Sequence, residues 1–299
     1  MSTGTTVERS TGPGHTADAD RGLGVTTRGL VHIYRADGHD VAALSGVDLV
    51  VAPGEVVGLL GPSGAGKSTL LTLFGGLMRP SAGRVRVGEH ELSTMSEPEL
   101  DRFRAADVGI ILQGAARNLL PYLTARQNVE FAQRSAVRAG RGVPAPGEVL
   151  ELVGLDHAAT APLDSLPPGQ LQLAALAVSL ASRPGLLLGD EPTSQLHHTS
   201  RDVVLDALHR VNAEWGTTII VVTHDPDVAA RLPRTVTIRD GRVGGEGRAG
   251  EEYAVVAADG SLPLPAAVVE AFPPGTLVRV HHADGVWTLV PEQGGPSHG

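Results

Sequence analysis

Gly61-Pro62-Ser63-Gly64-Ala65-Gly66-Lys67-Ser68-Thr69 matches the phosphate-binding loop pattern G-x-x-x-x-G-K-[ST] at every defined position. The apolar run Val56-Val57-Gly58-Leu59-Leu60 before it reads as a buried parallel strand, and Leu70-Leu71-Thr72-Leu73-Phe74 after it reads as a helix. Strand, loop and helix therefore follow in the order such a site needs. The glycines let successive N–H groups and the positive helix end point at an anion. Lys67 adds a full charge, and it is the only lysine in the chain. Ser68 offers the hydroxyl that ligates Mg²⁺ between the outer phosphates.

With 299 residues the chain is long enough for one large domain plus an appendage, or for two domains. Its 33 acidic and 24 basic residues give a formal charge of −9, which argues against a general nucleic-acid binder. Cysteine is absent, so disulfides, thiolate catalysis and Cys-ligated zinc are excluded, as fits a cytosolic location. No apolar run approaches the length of a membrane span, and the N-terminus lacks the pattern of a signal peptide. A role at a membrane would require docking on something that spans it.

Residues 1–23 are rich in Ser, Thr, Gly and Asp and read as a disordered tail. Apolar segments at Gly29–Tyr34 and Val41–Val51, split by the turn-forming Ala36–Asp40, read as antiparallel strands beside a nucleotide. Val108–Gln113 reads as a buried strand with a polar end. Helical segments then dominate from residue 114 to about 180, as in an insertion into an α/β domain. Alternation resumes with the strand Leu186–Asp190, a helix over Ser200–Glu214 and the strand Thr217–Thr223, the order of a parallel sheet. Arg234–Val243 reads as a last hairpin. The Gly-rich stretch 244–250 reads as a linker, 251–291 as a small β-rich unit and 292–299 as a tail.

Leu186-Leu187-Leu188-Gly189-Asp190-Glu191 is an apolar strand ending in two carboxylates. Asp190 would complete the metal shell that Ser68 begins, and Glu191 would polarise a water attacking the γ-phosphate. With these motifs the chain resembles the ATP-binding cassette (ABC) ATPases over about residues 24–243. The resemblance extends to Gln113, similar to the family's Q-loop, and to Val222-Thr223-His224-Asp225, similar to its H-loop. It implies a P-loop α/β fold with a parallel-sheet core, an antiparallel β subdomain and a helical subdomain. It also implies that Gln113 senses the metal and the attacking water, that His224 contacts the γ-phosphate, and that Tyr34 stacks on adenine. Gln113–Asn128 and Tyr34–Val47 look like the lipoprotein-release and macrolide-export branch, whose segment after the Q-loop docks on a permease.

The family signature L-S-G-G-Q is Leu166-Pro167-Pro168-Gly169-Gln170 here, and the loop after Glu191 carries Ser194-Gln195-Leu196-His197 where the family has Gly-Asn-Leu-Asp. In the family dimer the signature crosses to the partner's ATP. Proline has neither hydroxyl nor N–H, so the half of this chain that faces a partner is depleted while its own phosphate grip is complete.

The C-terminal unit carries two Asp-Gly turns between alternating residues, a hairpin signal, in a layout similar to the swapped-hairpin fold of bacterial transition-state regulators. Its only Arg or Lys is Arg279, so it lacks a basic surface for DNA and a structural or dimerising use is expected.

The resemblance implies an ATP- and Mg²⁺-dependent ATPase subunit held by a permease on the cytoplasmic face of a membrane. A second ATPase subunit is expected, a heterodimer ahead of a homodimer. A non-transport ABC ATPase and a non-catalytic ATP-binding partner are the alternatives.

Overall fold

The computed structural model describes residues 22–36, 39–248, 251–256, 260–262, 264, 266–283 and 285–291. The tail expected over residues 1–21 and that over 292–299 lie outside them. Residues 22–23, assigned to the N-terminal tail by their neighbours' composition, instead pack on the domain. Leu23 is partly buried against its core, and its N–H donates to Gly185 O at 2.9 Å.

An antiparallel sheet of order β2-β1-β4-β5 is built from β1 (Val25–Ala36), β2 (His39–Val51), β4 (Ala82–Val87) and β5 (His90–Glu91). The larger, seven-stranded sheet has the order β11-β10-β9-β3-β8-β7-β6. Its parallel part comprises β3 (Val56–Leu60), β6 (Val108–Ile111), β7 (Leu186–Asp190), β8 (Thr218–Val222) and β9 (Arg234–Arg239).

Successive residues of these parallel strands face opposite sides, and both sides are covered. Val56, Leu187, Ile219 and Val221 join a core with the helices α3 (Ala125–Arg138), α4 (Pro146–Leu152), α5 (Pro168–Ser179) and α6 (His198–Trp215). Val57, Leu59, Leu186, Leu188, Ile220 and Val222 join the other core, with α1 (Lys67–Phe74), α2 (Glu97–Asp107) and the antiparallel sheet. The alternation explains why near-continuous apolar runs serve as two-faced strands.

Two expectations fail at element ends. Of the expected linker 244–250, residues 244–248 belong to β10 (Arg242–Arg248), which pairs antiparallel with β9, and 249–250 lie outside the described residues; β11 (Glu251–Ala254) pairs with β10, so the start of the C-terminal stretch is an edge strand of the main sheet. The glycines there permit close packing. A Cβ on Gly247 would stand 2.4 Å from Thr235 Oγ1. The strand before Gln113 stops at Ile111, because the Asn118 side chain takes both the N–H and the C=O of Leu112. Farther along, a short helix (Ala266–Ala271) precedes an antiparallel hairpin of β12 (Val278–Ala283) and β13 (Val286–Pro291).

Arg234 ties the sheets together. Its buried guanidinium donates to Glu246 on β10 at 2.7 Å, to Glu55 at 3.0 Å and to Val50 O on β2 at 2.8 Å. Burial pushes the Glu246 carboxyl up, but Arg234 and Arg248 outweigh it and hold it below the ordinary 4.5. Since the folded value is the lower one, the stabilisation is complete above about pH 4.5 and is lost as pH falls through the lowered value. Glu246→Gln is expected to melt below the unmodified chain at pH 7 and to converge with it on acidification through that range. Melting curves that stay equally separated would contradict this.

Candidate functional site

The loop from Gly61 to Gly66 leaves β3 and enters α1 directly. Its shape depends on residues without side chains. Gly61 (φ 136°), Gly64 (φ 79°) and Gly66 (φ 98°) all occupy backbone regions that L side chains rarely adopt. A Cβ on Gly61 would lie 2.0 Å from Ile238 O, and one on Gly66 would lie 2.5 Å from Ala43 O, so the loop is pressed against both sheets. The N–H groups of Gly64, Gly66, Lys67 and Ser68 find no acceptor among the described residues. Together with the positive end of α1 they form a nest for an anion. Pro62, Ser63 and Gly64 are exposed, Ala65 and Gly66 buried. Lys67 is 8% exposed, and its Nζ rests on Gly61 O and Pro62 O, each at 2.8 Å.

Strand order brings the second motif alongside. Because β8 lies between β3 and β7, Asp190 at the end of β7 reaches Ser68, whose Oγ donates to its Oδ1 at 3.2 Å. Burial, reinforced by the neighbouring Glu191 charge, raises the Asp190 carboxyl above its ordinary value despite Ser68 and Lys67. A cation between these groups would offset that cost. Among the described residues no group of three or more His, Cys, Asp or Glu could hold a metal by itself. The hydroxyl of Ser68 and the carboxylate of Asp190 are oxygen ligands of the kind Mg²⁺ takes from a protein, with phosphate and water oxygens completing its shell.

Glu191 follows at φ 48°, a strained position for a residue with a side chain, held by its N–H to Val222 O at 3.0 Å. One carboxylate oxygen meets His224 Nδ1 at 2.7 Å, and the other accepts from Gln113 Nε2 at 3.2 Å. Gln113, Glu191 and His224 are thus one cluster, with Gln113 bonded to Glu191 rather than to the Ser68–Asp190 pair. Tyr34 is 40% exposed, packs edge-on to His32, and places its hydroxyl 3.2 Å from Thr69 Oγ1. Its ring therefore borders the end of the phosphate loop.

Asn118, which sequence reading did not single out, also bonds Gly114 O at 3.1 Å and so fixes the turn carrying Gln113. No motif marks it, since a side chain that caps a turn is visible only once the turn exists. Pro167 caps α5 without a side-chain hydrogen bond, and Pro168, which opens it, lines one cavity with Gly114 and Glu191. His197 caps α6, again without a side-chain bond.

Residues 44–194 match the family model described as ABC transporter. The chain is 40% identical over 217 residues to the lipoprotein-releasing system ATP-binding protein LolD 2 of Caulobacter vibrioides, covering 72% of this chain and 94% of that one. The chain belongs to the ABC transporter family. It is also 38% identical over 223 residues to the macrolide export ATP-binding/permease protein MacB of Rhodopseudomonas palustris, 74% of this chain but 34% of that longer protein. Among solved structures, the ATP-binding cassette MJ0796 in a dimeric post-hydrolysis state with ADP and Pi is 32% identical, with a TM-score of 0.66 and 98% of its chain covered. As an ABC ATPase with the P-loop α/β fold, this chain is the ATP-binding, ATP-hydrolysing subunit of a transporter and works with a membrane permease. No helix among the described residues is long and apolar enough to cross a membrane.

Gly61→Ala is expected to lower ATP affinity at least about tenfold and to destabilise the fold, since the clashing atom is backbone. Gly64→Ala meets no atom within 4 Å and carries only backbone strain, about 1 kcal/mol. Calorimetric titration with urea unfolding of both variants checks this; equal effects would contradict it.

Proposed function

We propose that this chain binds Mg-ATP on residues 61–69 and hydrolyses it with Glu191 as general base, in an asymmetric pair with a second ATPase subunit. The observation that carries the reading is the convergence of Gln113, Glu191 and His224 beside the Ser68–Asp190 pair. The nest and Lys67 hold the phosphates, and Tyr34 stacks on the base. Ser68 and Asp190, together with Gln113, would hold Mg²⁺, and the bound ion would supply neutralisation of the charge building on the phosphates. Glu191 accepts the proton of the attacking water, Gln113 orients that water, and His224 holds the carboxylate on one side and faces the γ-phosphate on the other.

The asymmetry follows from α5. A signature helix offers its first N–H groups to the partner's phosphate, and here Pro167 and Pro168 supply none. Each hydrogen bond lost to a charged group costs roughly 1.5–3 kcal/mol, an order of magnitude or more in closure on that side. A second subunit with an intact signature would complete the site at residues 61–69, while the site this chain completes for its partner would turn over slowly. LolD and MacB are named for lipoprotein release and macrolide export. By likeness, this chain drives an exporter or mechanotransmission permease from the cytoplasmic face of a membrane.

The double substitution Pro167→Ser with Pro168→Gly restores donors where α5 begins. ATPase assays of the purified chain are expected to show slow turnover that rises at least about tenfold on this repair. Brisk turnover by the unmodified chain alone would contradict the asymmetric reading. Glu191→Gln should retain ATP binding while abolishing hydrolysis in the assembled transporter.

A further inference from the structure

We propose that Arg201 is a positioning residue for ATP hydrolysis, clamping the turn that carries His224 to the first turn of α6. The inference rests on the reading of Glu191 and His224 given above. Arg201 sits one turn into α6, with its N–H bonded to His197 O at 2.9 Å. Its side chain is 12% exposed, unusually enclosed for an arginine. One terminal nitrogen donates to Asp225 Oδ2 at 2.8 Å. The other reaches Asp227 Oδ2 at 3.3 Å and His198 Nδ1 at 3.0 Å. The planar guanidinium thus binds two carboxylates and an imidazole at once, which a lysine ammonium would do poorly.

The two carboxylates define the turn after His224. Asp225 Oδ1 accepts from Asp227 N at 2.9 Å and caps the helix that follows, Pro226–Ala229. Burial would raise the Asp225 carboxyl, but this backbone bond and the Arg201 guanidinium outweigh it and hold the carboxyl below its ordinary value. Asp225 is the immediate neighbour of His224, and the His224 ring meets Glu191 at 2.7 Å. Glu191 in turn leads through residues 192–197 into α6. A closed loop of structure results: Glu191, the partner-facing segment Ser194–His197, Arg201, Asp225, His224 and back to Glu191. A shift of Ser194–His197 against a partner would move the base directly and the imidazole through Arg201, keeping the two in register.

The test uses the full chain assembled with its transporter partners. Arg201→Ala is expected to lower kcat for ATP hydrolysis at least tenfold while KM and nucleotide affinity stay within about twofold, because the phosphate loop does not touch the clamp. Arg201→Lys should recover part of kcat. In a His224→Ala background Arg201→Ala should have no further effect, since a residue acting through His224 has nothing left to align. An additive loss, or a fall in affinity matching the fall in kcat, would overturn the proposal. If Arg201→Ala does not fold, Asp227→Asn, which removes one arm of the clamp at an exposed carboxylate, must show the same kcat-only loss or the proposal fails. A His224→Ala variant with normal turnover would instead sink the underlying site assignment.

Discussion

The 3.2 Å hydrogen bond from Ser68 to Asp190 joins residues 122 apart in sequence, and the site depends on it. A parallel sheet with β8 between β3 and β7 ends both motifs at the same edge. That arrangement needs strands buried on both faces, which the alternation of Val56 with Val57 and Ile219 with Ile220 between two cores supplies. It also needs a loop that lies flat against its neighbours. Gly61 under Ile238 and Gly66 under Ala43 meet that demand because any side chain would collide with backbone.

On the proposed reading, the phosphate loop and the segment offered to a partner differ in how completely they are equipped. The proposed grip on phosphate has N–H groups with no acceptor among the described residues, an enclosed lysine, and a hydroxyl and a carboxylate already in contact. The face that would cover a neighbour's phosphate begins with two prolines and a capping residue without a side-chain bond. α5 itself is undisturbed, since proline fits the first turn of a helix and the rest of α5 is buried in the core.

Much of this was legible in the sequence because the motifs are local and chemically demanding. Residues 61–69 and 186–191 each declare a strand, a turn and the groups at its tip. Legibility failed where a long-range partner decides. Residues 244–248 read as a linker by composition, yet β9 recruits them into the sheet and Arg234 locks Glu246 in place. The end of the strand before Gln113 is set by Asn118 and Leu23 is held by Gly185, contacts that no periodicity reveals. Nothing in the sequence distinguishes Arg201 from the other arginines; its bonds to Asp225 and Asp227 exist only once the chain is folded.

Everything rests on Mg-ATP nesting in residues 61–69, and calorimetric titration of the full chain, unmodified and with Lys67→Ala, tests that most directly. Saturable binding of one nucleotide per chain, weakened at least about tenfold by the substitution, is the expected result. No uptake by the unmodified chain, or uptake undiminished without the Lys67 ammonium, would contradict the account.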